Sequence, residues 1–188
     1  MRITTGKYKG RKLKAPFGIR PTQDKVRKAV FDILGDIEGL TFLELFAGSG
    51  AVGFEALSRG AKGVILVEAN PDSISVIKEN LAILKPENCI LYPSESQKVI
   101  ENLYKSRKTF DIIFFDPPYR QDLAKKTLQT LEACDILAPD GLIVAQHFKK
   151  ENLPENLGVL TLIRQYTYGD TLLSLYRKED RSQNTEDR

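Results

Sequence analysis

The sequence has little of what several classes of protein need. It holds two cysteines, Cys89 and Cys134, and a single histidine, His147, among its 188 residues. No C-x-x-C pair or histidine cluster is present, which excludes the usual zinc sites and favours two reduced, packed thiols. No apolar run approaches the about 20 residues that span a bilayer, and the first residues lack the apolar stretch of a secretory signal. We therefore expect a cytoplasmic, monomeric protein with neither a metal site nor a membrane partner.

The charge is distributed unevenly along the chain. The net charge is +3, but residues 1–30 carry ten of the 28 basic side chains and only one of the 25 acids, Asp24. The rest of the chain is therefore mildly acidic. Such segregation favours docking of a polyanion on the basic end. Because Tyr8, Leu13 and Phe17 interrupt this segment, an ordered hairpin is a better interpretation than a solvated tail.

The basic segment predicts a small unit of its own over residues 1–35. Residues 2–14 alternate around Gly6 and Gly10, as in a short β-hairpin. The next stretch, "RPTQDKVRKAVFDILG", has apolar residues at helical spacing, with Thr22 as the predicted N-cap and Gly35 as the stop signal. We expect residues 36–179 to form the main domain and residues 180–188 to be a disordered tail.

Apolar runs and helical stretches alternate through the main domain. The runs are "TFLELFA", "GVILVEA", "NCILYP", "FDIIFFD" and "GLIVAQH", and each suits a strand buried on both faces. Between them the pattern predicts helices over residues 51–58, 71–84, 96–105 and 122–134. Near the end, "LTLIRQYTYGDTLLSLYRK" predicts two antiparallel strands around a turn at Gly169-Asp170. This alternation of strands and helices, with an antiparallel pair at the end, predicts a doubly wound, mostly parallel α/β sheet.

The stretch "LELFAGSGAVG" contains Gly48, Gly50 and Gly53 in G-x-G-x-x-G spacing at the end of the first predicted strand. Glycines there let the backbone approach a ligand, and the following helix points its N-terminal amides at it. Glu68 ends the second predicted strand, twenty residues after Gly48, where an acid can accept the hydroxyls of an adenosine ribose. The loop and the acid suit either NAD or S-adenosylmethionine. Glu44, close to the loop, favours the cationic S-adenosylmethionine over a pyrophosphate.

The fourth predicted strand ends in "FDIIFFDPPYR", which places Asp116, Pro117, Pro118 and Tyr119 beside the first strand in a doubly wound sheet. Two prolines hold the chain extended and leave carbonyls free. The Asp116 carboxylate and the Pro117 carbonyl are then acceptors for an exocyclic amine, and the Tyr119 ring can stack on a planar base. This tetrapeptide is more specific than the glycine loop.

These motifs together resemble a known family. D-P-P-Y with "FAGSG" is similar to class I methyltransferases that modify exocyclic amines of bases. The ordered set "RPTQDKVRKAVFDIL", "LELFAGSGAVGFEALSRGA", "VEAN", "FFDPPY" and "YGDTLLSLYRKE" resembles the bacterial RsmD-type methyltransferases, which make N2-methylguanine in 16S ribosomal RNA. The resemblance covers about Arg2 to Glu179. It implies S-adenosylmethionine as methyl donor and a seven-stranded sheet with a reversed last hairpin.

The resemblance also assigns roles to residues. Glu68 would bind the ribose and residues 116–119 the target guanine. Ser94, Glu95 or the backbone alone would bind the adenine, although related enzymes usually have Asp or Asn there. The remaining cofactor residues would be Thr22, Glu44, Ala47, Gly48, Ser49 and Gly50. We expect phosphates of 16S ribosomal RNA, naked or in an assembling subunit, to contact Lys7, Lys9, Arg11, Lys12, Lys14, Arg20, Lys25 and Arg27. His147 would have a surface or supporting role, since methyl transfer to an amine needs no strong base.

Three other functions use parts of the same pattern. A DNA adenine-N6 methyltransferase needs the same D-P-P-Y motif, but this short chain leaves no room for a separate DNA-reading domain. A nicotinamide-dependent oxidoreductase would use the glycine loop, but the chain lacks a convincing catalytic Tyr-Lys or His pair. A non-catalytic RNA-binding protein could retain the whole fold.

Overall fold

The computed structural model describes residues 1–15, 21–118 and 122–179. Within these ranges the helices are α1 (Pro21–Leu34), α2 (Ala51–Ser58), α3 (Pro71–Leu84), α4 (Ser96–Lys105) and α5 (Leu123–Cys134). The strands are β1 (Thr41–Leu45), β2 (Gly63–Glu68), β3 (Cys89–Pro93), β4 (Phe110–Phe115), β5 (Leu137–Phe148), β6 (Asn156–Leu157), β7 (Leu160–Tyr168) and β8 (Thr171–Lys178).

The strands form one sheet in the order β3-β2-β1-β4-β5-β8-β7-β6. The first five in this order are parallel, and β8, β7 and β6 pair antiparallel. Apolar side chains from the two faces of the sheet build two separate cores. One core, with Phe42 and Phe114, lies against α1, α2 and α3. The other, with Leu43 and Ile113, lies against α4 and α5. The predicted doubly wound α/β architecture is confirmed.

The prediction of seven strands was wrong by one. The additional strand, β6, has two residues and pairs only with the start of β7, through Asn156↔Thr161 and Leu157↔Leu160. Two residues are too few to show an alternating pattern, so this pairing depends on the tertiary position of the β6 segment. The predicted turn at Gly169-Asp170 does join β7 to β8.

The structure also shifts two helix starts. Helices α2, α3 and α4 have the predicted bounds, and α5 begins one residue later than predicted, at Leu123. Helix α1 begins at Pro21, so the prediction of Thr22 as its N-cap was wrong. Proline suits the first position of a helix because its φ is already helical and its missing N–H would have no partner there.

Residues 1–15 form a compact loop with one antiparallel bridge, between Arg2 and Lys12, in place of two full strands. The Leu13 amide donates to the Met1 carbonyl at 3.0 Å, which closes the loop at its base. Ile3 and Leu13 are buried in the same core as α1. The basic N-terminal segment is therefore packed against the sheet domain through apolar contacts.

Two buried polar side chains of α2 fix this loop in place. The Glu55 carboxylate accepts from the Thr4 amide at 2.8 Å, the Thr4 hydroxyl at 2.6 Å and the Thr5 amide at 3.1 Å. The Ser58 hydroxyl accepts from the Tyr8 amide at 2.8 Å. These bonds satisfy polar groups that would otherwise be buried without partners, so the loop has one defined position on α2.

His147 lies in the interior, so of its two expected roles, surface or supporting, the surface one was wrong. Its side chain is fully buried on β5, with Nε2 2.7 Å from the Ser174 hydroxyl of β8. The Gln165 side chain of β7 donates to the same hydroxyl at 2.9 Å. Burial lowers the pKa of His147. The histidine therefore takes part in a polar contact that joins three strands.

Among the helices that the structure describes, none is long and apolar enough to cross a membrane. In the same part of the chain, no three His, Cys, Asp or Glu side chains are grouped so that they could hold a metal ion.

Gly6 should tolerate substitution less well than Gly10. A Cβ at Gly6 would lie 1.6 Å from the Ser58 carbonyl oxygen, whereas one at Gly10 would meet no heavy atom of the described chain within 4 Å. Both glycines have left-handed φ, 79° and 82°, so alanine at either costs about 1 kcal/mol of conformational energy. Gly6→Ala should lose more than this, because the loop must leave Ser58. Thermal unfolding and limited proteolysis of residues 1–15 measure both effects, with Gly10→Ala as the matched control. Equal losses would show that the Ser58 contact does not hold the loop.

Candidate functional site

The candidate site lies beside β1, where the order of strands in the sheet changes direction: β2 and β3 lie on one side of β1, and β4 lies on the other. β1 pairs with β2 on one side and with β4 on the other, both in parallel. In register, Leu45 of β1 lies between Val67 of β2 and Phe115 of β4. The loops that follow these strands therefore leave from the same edge of the sheet, here called the carboxyl edge. Connections that run to opposite sides open a crevice at such a point.

The loop after β1 bends sharply at the crevice. Phe46, a residue with a side chain, has a left-handed φ of 57°, and Gly48 and Gly50 follow with φ of 57° and 75°. The Ala47 amide donates to the Val67 carbonyl at 2.9 Å, and the Gly50 amide to the Ala47 carbonyl at 2.7 Å. A Cβ built on Gly48 would meet no heavy atom of the described residues within 4 Å, so none of them fills the space beside the loop. Gly50 then caps α2.

Glu44 lies beneath this loop and is 2 % exposed. Its carboxylate accepts from the Gly53 amide at 2.8 Å, in the first turn of α2. Burial raises the pKa of Glu44 to about 8, to which the charges of Asp116 and Glu68 contribute, while the amides of Gly53 and Val52 oppose the shift. A Cβ on Gly53 would lie 2.8 Å from the Glu44 oxygen and 2.4 Å from Leu66. The third glycine of the motif is therefore required by packing.

Glu68 ends β2 and connects two loops. One carboxylate oxygen accepts from the Gly48 amide at 2.7 Å, and the other accepts from the amides of Ala69 and Asn70, both at 2.8 Å. A carboxylate can accept about four hydrogen bonds. These three bonds orient the carboxylate beside the glycine loop and leave capacity for a further donor.

Asp116 follows β4 directly and lies half-buried beside the end of β1. Burial raises the pKa of Asp116 to about 7. Pro117 is buried and Pro118 is exposed. Tyr119 lies outside the described residues, so its stacking role stays a prediction. The structure brings Asp116 and Glu44 close enough for their charges to interact.

The predicted adenine-binding residues follow β3 at the same edge. Pro93, the last residue of β3, pairs in register with Glu68. Ser94 is half-buried, while Glu95 is exposed and forms an ion pair with Lys98 at 3.0 Å. Which of them would contact an adenine stays a prediction.

Asn80 is a site residue that the sequence pattern did not indicate. Its side chain is fully buried on α3. Its amide nitrogen donates to the carbonyls of Ser49 and Lys14, both at 3.0 Å, and its oxygen accepts from the Lys14 amide at 2.7 Å. One side chain therefore ties the basic segment to the glycine loop. Asparagine within an amphipathic helix is an ordinary surface residue by pattern, so only the tertiary contact reveals this role.

Of the eight predicted phosphate contacts, one is buried, one lies outside the described residues and six are exposed. Arg27 is 6 % exposed and donates to the Arg2 carbonyl at 2.8 Å, so its guanidinium supports the N-terminal loop. This placement argues against a phosphate contact at Arg27. Arg20 lies outside the described residues, and for Thr22 only the helical backbone is described. The side chains on the surface are those of Lys7, Lys9, Arg11, Lys12, Lys14 and Lys25.

Comparison with known proteins matches nearly the whole chain. The sequence model of the family described as "Conserved hypothetical protein 95" matches residues 1–177. The ribosomal RNA small subunit methyltransferase D of Escherichia coli is 35% identical over 190 residues, covering 100% of this chain and 94% of that protein. The Bacillus subtilis protein YlbH is 38% identical over 182 residues, covering 95% and 99%. The solved structure of Escherichia coli yhhF has a TM-score of 0.83 at 33% identity, covering 95% and 98%.

The two buried carboxyls should make stability depend on pH. Glu44 has its folded-state pKa raised from 4.5 to about 8, and Asp116 from 3.8 to about 7. The neutral carboxyls stabilise the folded state fully below the ordinary pKa values of 4.5 and 3.8. This contribution is lost as pH rises through about 7 for Asp116 and about 8 for Glu44. The protein without ligand should therefore lose on the order of 1–3 kcal/mol between about pH 6 and about pH 9.

Urea unfolding at several pH values measures this loss. Glu44→Gln should flatten the dependence, since the amide has no proton to lose over this range, while Glu38→Gln on the surface is the control. An unchanged slope in Glu44→Gln would mean that Glu44 does not titrate there.

Proposed function

The chain belongs to the "Conserved hypothetical protein 95" family, that of the RsmD-type methyltransferases, and from this membership we propose that it methylates the N2 amine of a guanine in 16S ribosomal RNA. The proposed methyl donor is S-adenosylmethionine. One observation carries the proposal: the glycine loop, Glu44, Glu68 and Asp116 lie close together at the carboxyl edge of the sheet, beside β1. The coarser activity, methyl transfer to ribosomal RNA, is that named for the Escherichia coli relative.

The residues on the donor side fit a cationic adenosine ligand. None of the described residues fills the space beside Gly48, and the Glu44 carboxyl lies beneath it with a raised pKa. A cation placed there offsets the cost of ionising Glu44 in the interior. Glu68 would accept from the ribose hydroxyls, and Ser94 lies at the next strand end for the adenine. Ala47, Ser49 and Gly50 would line the remaining part of the pocket, around the methionine part of S-adenosylmethionine.

The residues on the acceptor side fit an exocyclic amine. The Asp116 carboxylate and the Pro117 carbonyl would accept the two N–H bonds of guanine N2, which directs its lone pair toward the donor. When bound, S-adenosylmethionine would supply the methyl carbon for attack by N2 in line with the C–S bond, so that the N–C bond forms as the C–S bond breaks and S-adenosylhomocysteine leaves. Much of the acceleration would come from this alignment. A carboxyl with a pKa of about 7 is suited to take the proton that N2 then loses.

RNA would dock on the exposed basic residues of the N-terminal segment. Lys7, Lys9, Arg11 and Lys12 project from a loop that Glu55 and Ser58 hold against α2. Asn80 joins this loop to Ser49 of the glycine loop. A phosphate bound to the basic segment would therefore have a defined position relative to the donor.

The reaction can be tested with labelled S-adenosylmethionine and three acceptors: protein-free small-subunit ribosomal RNA, assembled small subunits and duplex DNA. We expect label in the RNA or the subunits, and nucleoside analysis should identify N2-methylguanine. Label in adenine of the DNA would instead support the N6 methyltransferase, and no transfer to any acceptor would support a binding protein.

Two substitutions should have opposite effects on binding and turnover. Asp116→Ala should abolish most turnover and leave affinity for S-adenosylhomocysteine nearly unchanged, because Asp116 would hold the acceptor. Glu68→Ala should weaken that affinity by about 1–3 kcal/mol, because it removes charge-assisted bonds to the ribose. Titration calorimetry and single-turnover methylation separate the two effects. Wild-type turnover by Asp116→Ala would show that another group holds the amine.

Removal of three basic side chains tests the docking surface. The triple change of Lys7, Lys9 and Lys12 to alanine should weaken RNA binding and lower its salt slope by about 0.7 for each phosphate that a lysine no longer neutralises. The same change at Lys105, Lys125 and Lys126 removes equal charge and is the control, because these exposed lysines lie on α4 and α5, which pack on the opposite face of the sheet from the N-terminal loop. Binding titrations at several salt concentrations measure both. Equal effects in the two triple variants would mean that only net charge matters.

A further inference from the structure

One face of β7 presents cationic and aromatic side chains that the proposed reaction does not use. Arg164, Tyr166 and Tyr168 occupy alternate positions along the strand, and they pair in register with Leu175, Leu173 and Thr171 of β8. Leu173 and Leu175 belong to the core on the α1 side of the sheet. A register shift between Leu162 and Arg164 changes which residues of β7 face each side of the sheet, as a β-bulge does. We call Arg164, Tyr166 and Tyr168 the β7 face.

The side chains of the β7 face contact one another and the core. The Arg164 guanidinium lies 6.0 Å from the Tyr166 ring centroid and donates to the Tyr166 hydroxyl at 3.3 Å. Arg164 is exposed, while both tyrosines are half-buried and pack against the α1-side core. Core packing holds the rings in position, and each ring keeps part of its surface accessible.

The register of the sheet places the β7 face in line with Asp116. Tyr166 pairs with Leu173 of β8, and Leu173 pairs with Gln146 of β5. Gln146 follows Ala145, which pairs with Phe115, so it lies level with Asp116. Three strand spacings separate β7 from β4, which amounts to about 14 Å. This distance is larger than one base, so a chain that reaches from Asp116 to Tyr166 must be several nucleotides long.

Basic side chains also follow β5 at the carboxyl edge. Lys149 and Lys150 are exposed there. The Lys149 amide donates to the Asp170 carbonyl at 2.9 Å, and its ammonium forms an ion pair with the Asp170 carboxylate at 2.6 Å. The ion pair with Asp170 neutralises the charge of Lys149. Lys150 and Arg164 supply two further exposed positive charges in the region between Asp116 and β7.

We propose that the β7 face, with Lys150 at its edge, binds the single-stranded RNA that flanks the target guanine. The inference rests on the proposed function and adds a second contact to the N-terminal basic segment. Single-stranded RNA is bound by aromatic rings that stack on bases and by cations that follow the backbone. The β7 face combines both groups, and its distance from Asp116 matches bases a few positions from the target. RNA held at both ends would present the guanine at the crevice between them.

The variants Arg164→Ala and Tyr166→Ala test this contact. Arg164 is exposed, so its removal leaves the core intact, and Tyr166→Phe keeps a ring that can stack. Thr167→Ala, on an exposed neighbour in the same strand, and Lys62→Ala, which removes one charge at the other end of the sheet, are controls. Thermal unfolding and S-adenosylhomocysteine affinity show whether each variant is folded.

Steady-state methylation of small-subunit RNA supplies the readout. We expect Tyr166→Ala and Arg164→Ala to raise KM for RNA about five-fold or more while kcat changes by less than about two-fold. Tyr166→Phe and both controls should match the wild type. With RNA shortened to the target guanine and its immediate neighbours, the variants and the wild type should have equal KM, since neither can then bind flanking RNA. Unchanged KM in an active enzyme would overturn the inference, whereas an inactive wild type would overturn the proposed function.

A photo-crosslinking amino acid introduced in place of Arg164 identifies the partner within assembled small subunits. A crosslink to RNA near the modified guanine supports the proposal. A crosslink only to a ribosomal protein would overturn it, because the β7 face would then be a protein-binding surface.

Discussion

The hydrogen bonds that join β1 in parallel to β2 on one side and to β4 on the other determine the geometry of the site. Because the three strands run in the same direction, the loops after Leu45, Glu68 and Phe115 emerge at one edge. Glu68 can then accept from the Gly48 amide of the neighbouring loop, and Asp116 lies beside the same loop. Side chains far apart in the chain share one crevice for this reason.

The burial of carboxyl groups gives this crevice its chemical character. Glu44 is buried under the loop, and Asp116 is half-buried next to it, so ionisation of either costs free energy in the absence of a cation. A ligand with positive charge relieves this cost, and a neutral or anionic ligand does not. The same burial that destabilises the charged carboxyls therefore favours a cationic ligand, and it raises the pKa of Asp116 to about 7.

The N-terminal segment is both a basic surface and a packed part of the domain. Ile3 and Leu13 belong to the core, and Glu55 and Asn80 bind the backbone of the loop. Its exposed lysines are therefore held at a fixed distance from the glycine loop. This rigid attachment suits a nucleic-acid contact that must position a base, since a flexible basic tail would raise affinity without orienting the substrate.

The sequence by itself determined the elements and most of the crevice. Apolar runs and helical spacing are local properties, and they predicted the bounds of α2, α3 and α4, while the positions of Glu44, Glu68 and Asp116 follow from their places in or after the strands. Only the tertiary structure decided that Arg27 and His147 are buried and that Asn80 joins two loops. Burial and hydrogen bonding of a side chain depend on residues distant in the chain, and a local pattern contains no information about which distant residues those are.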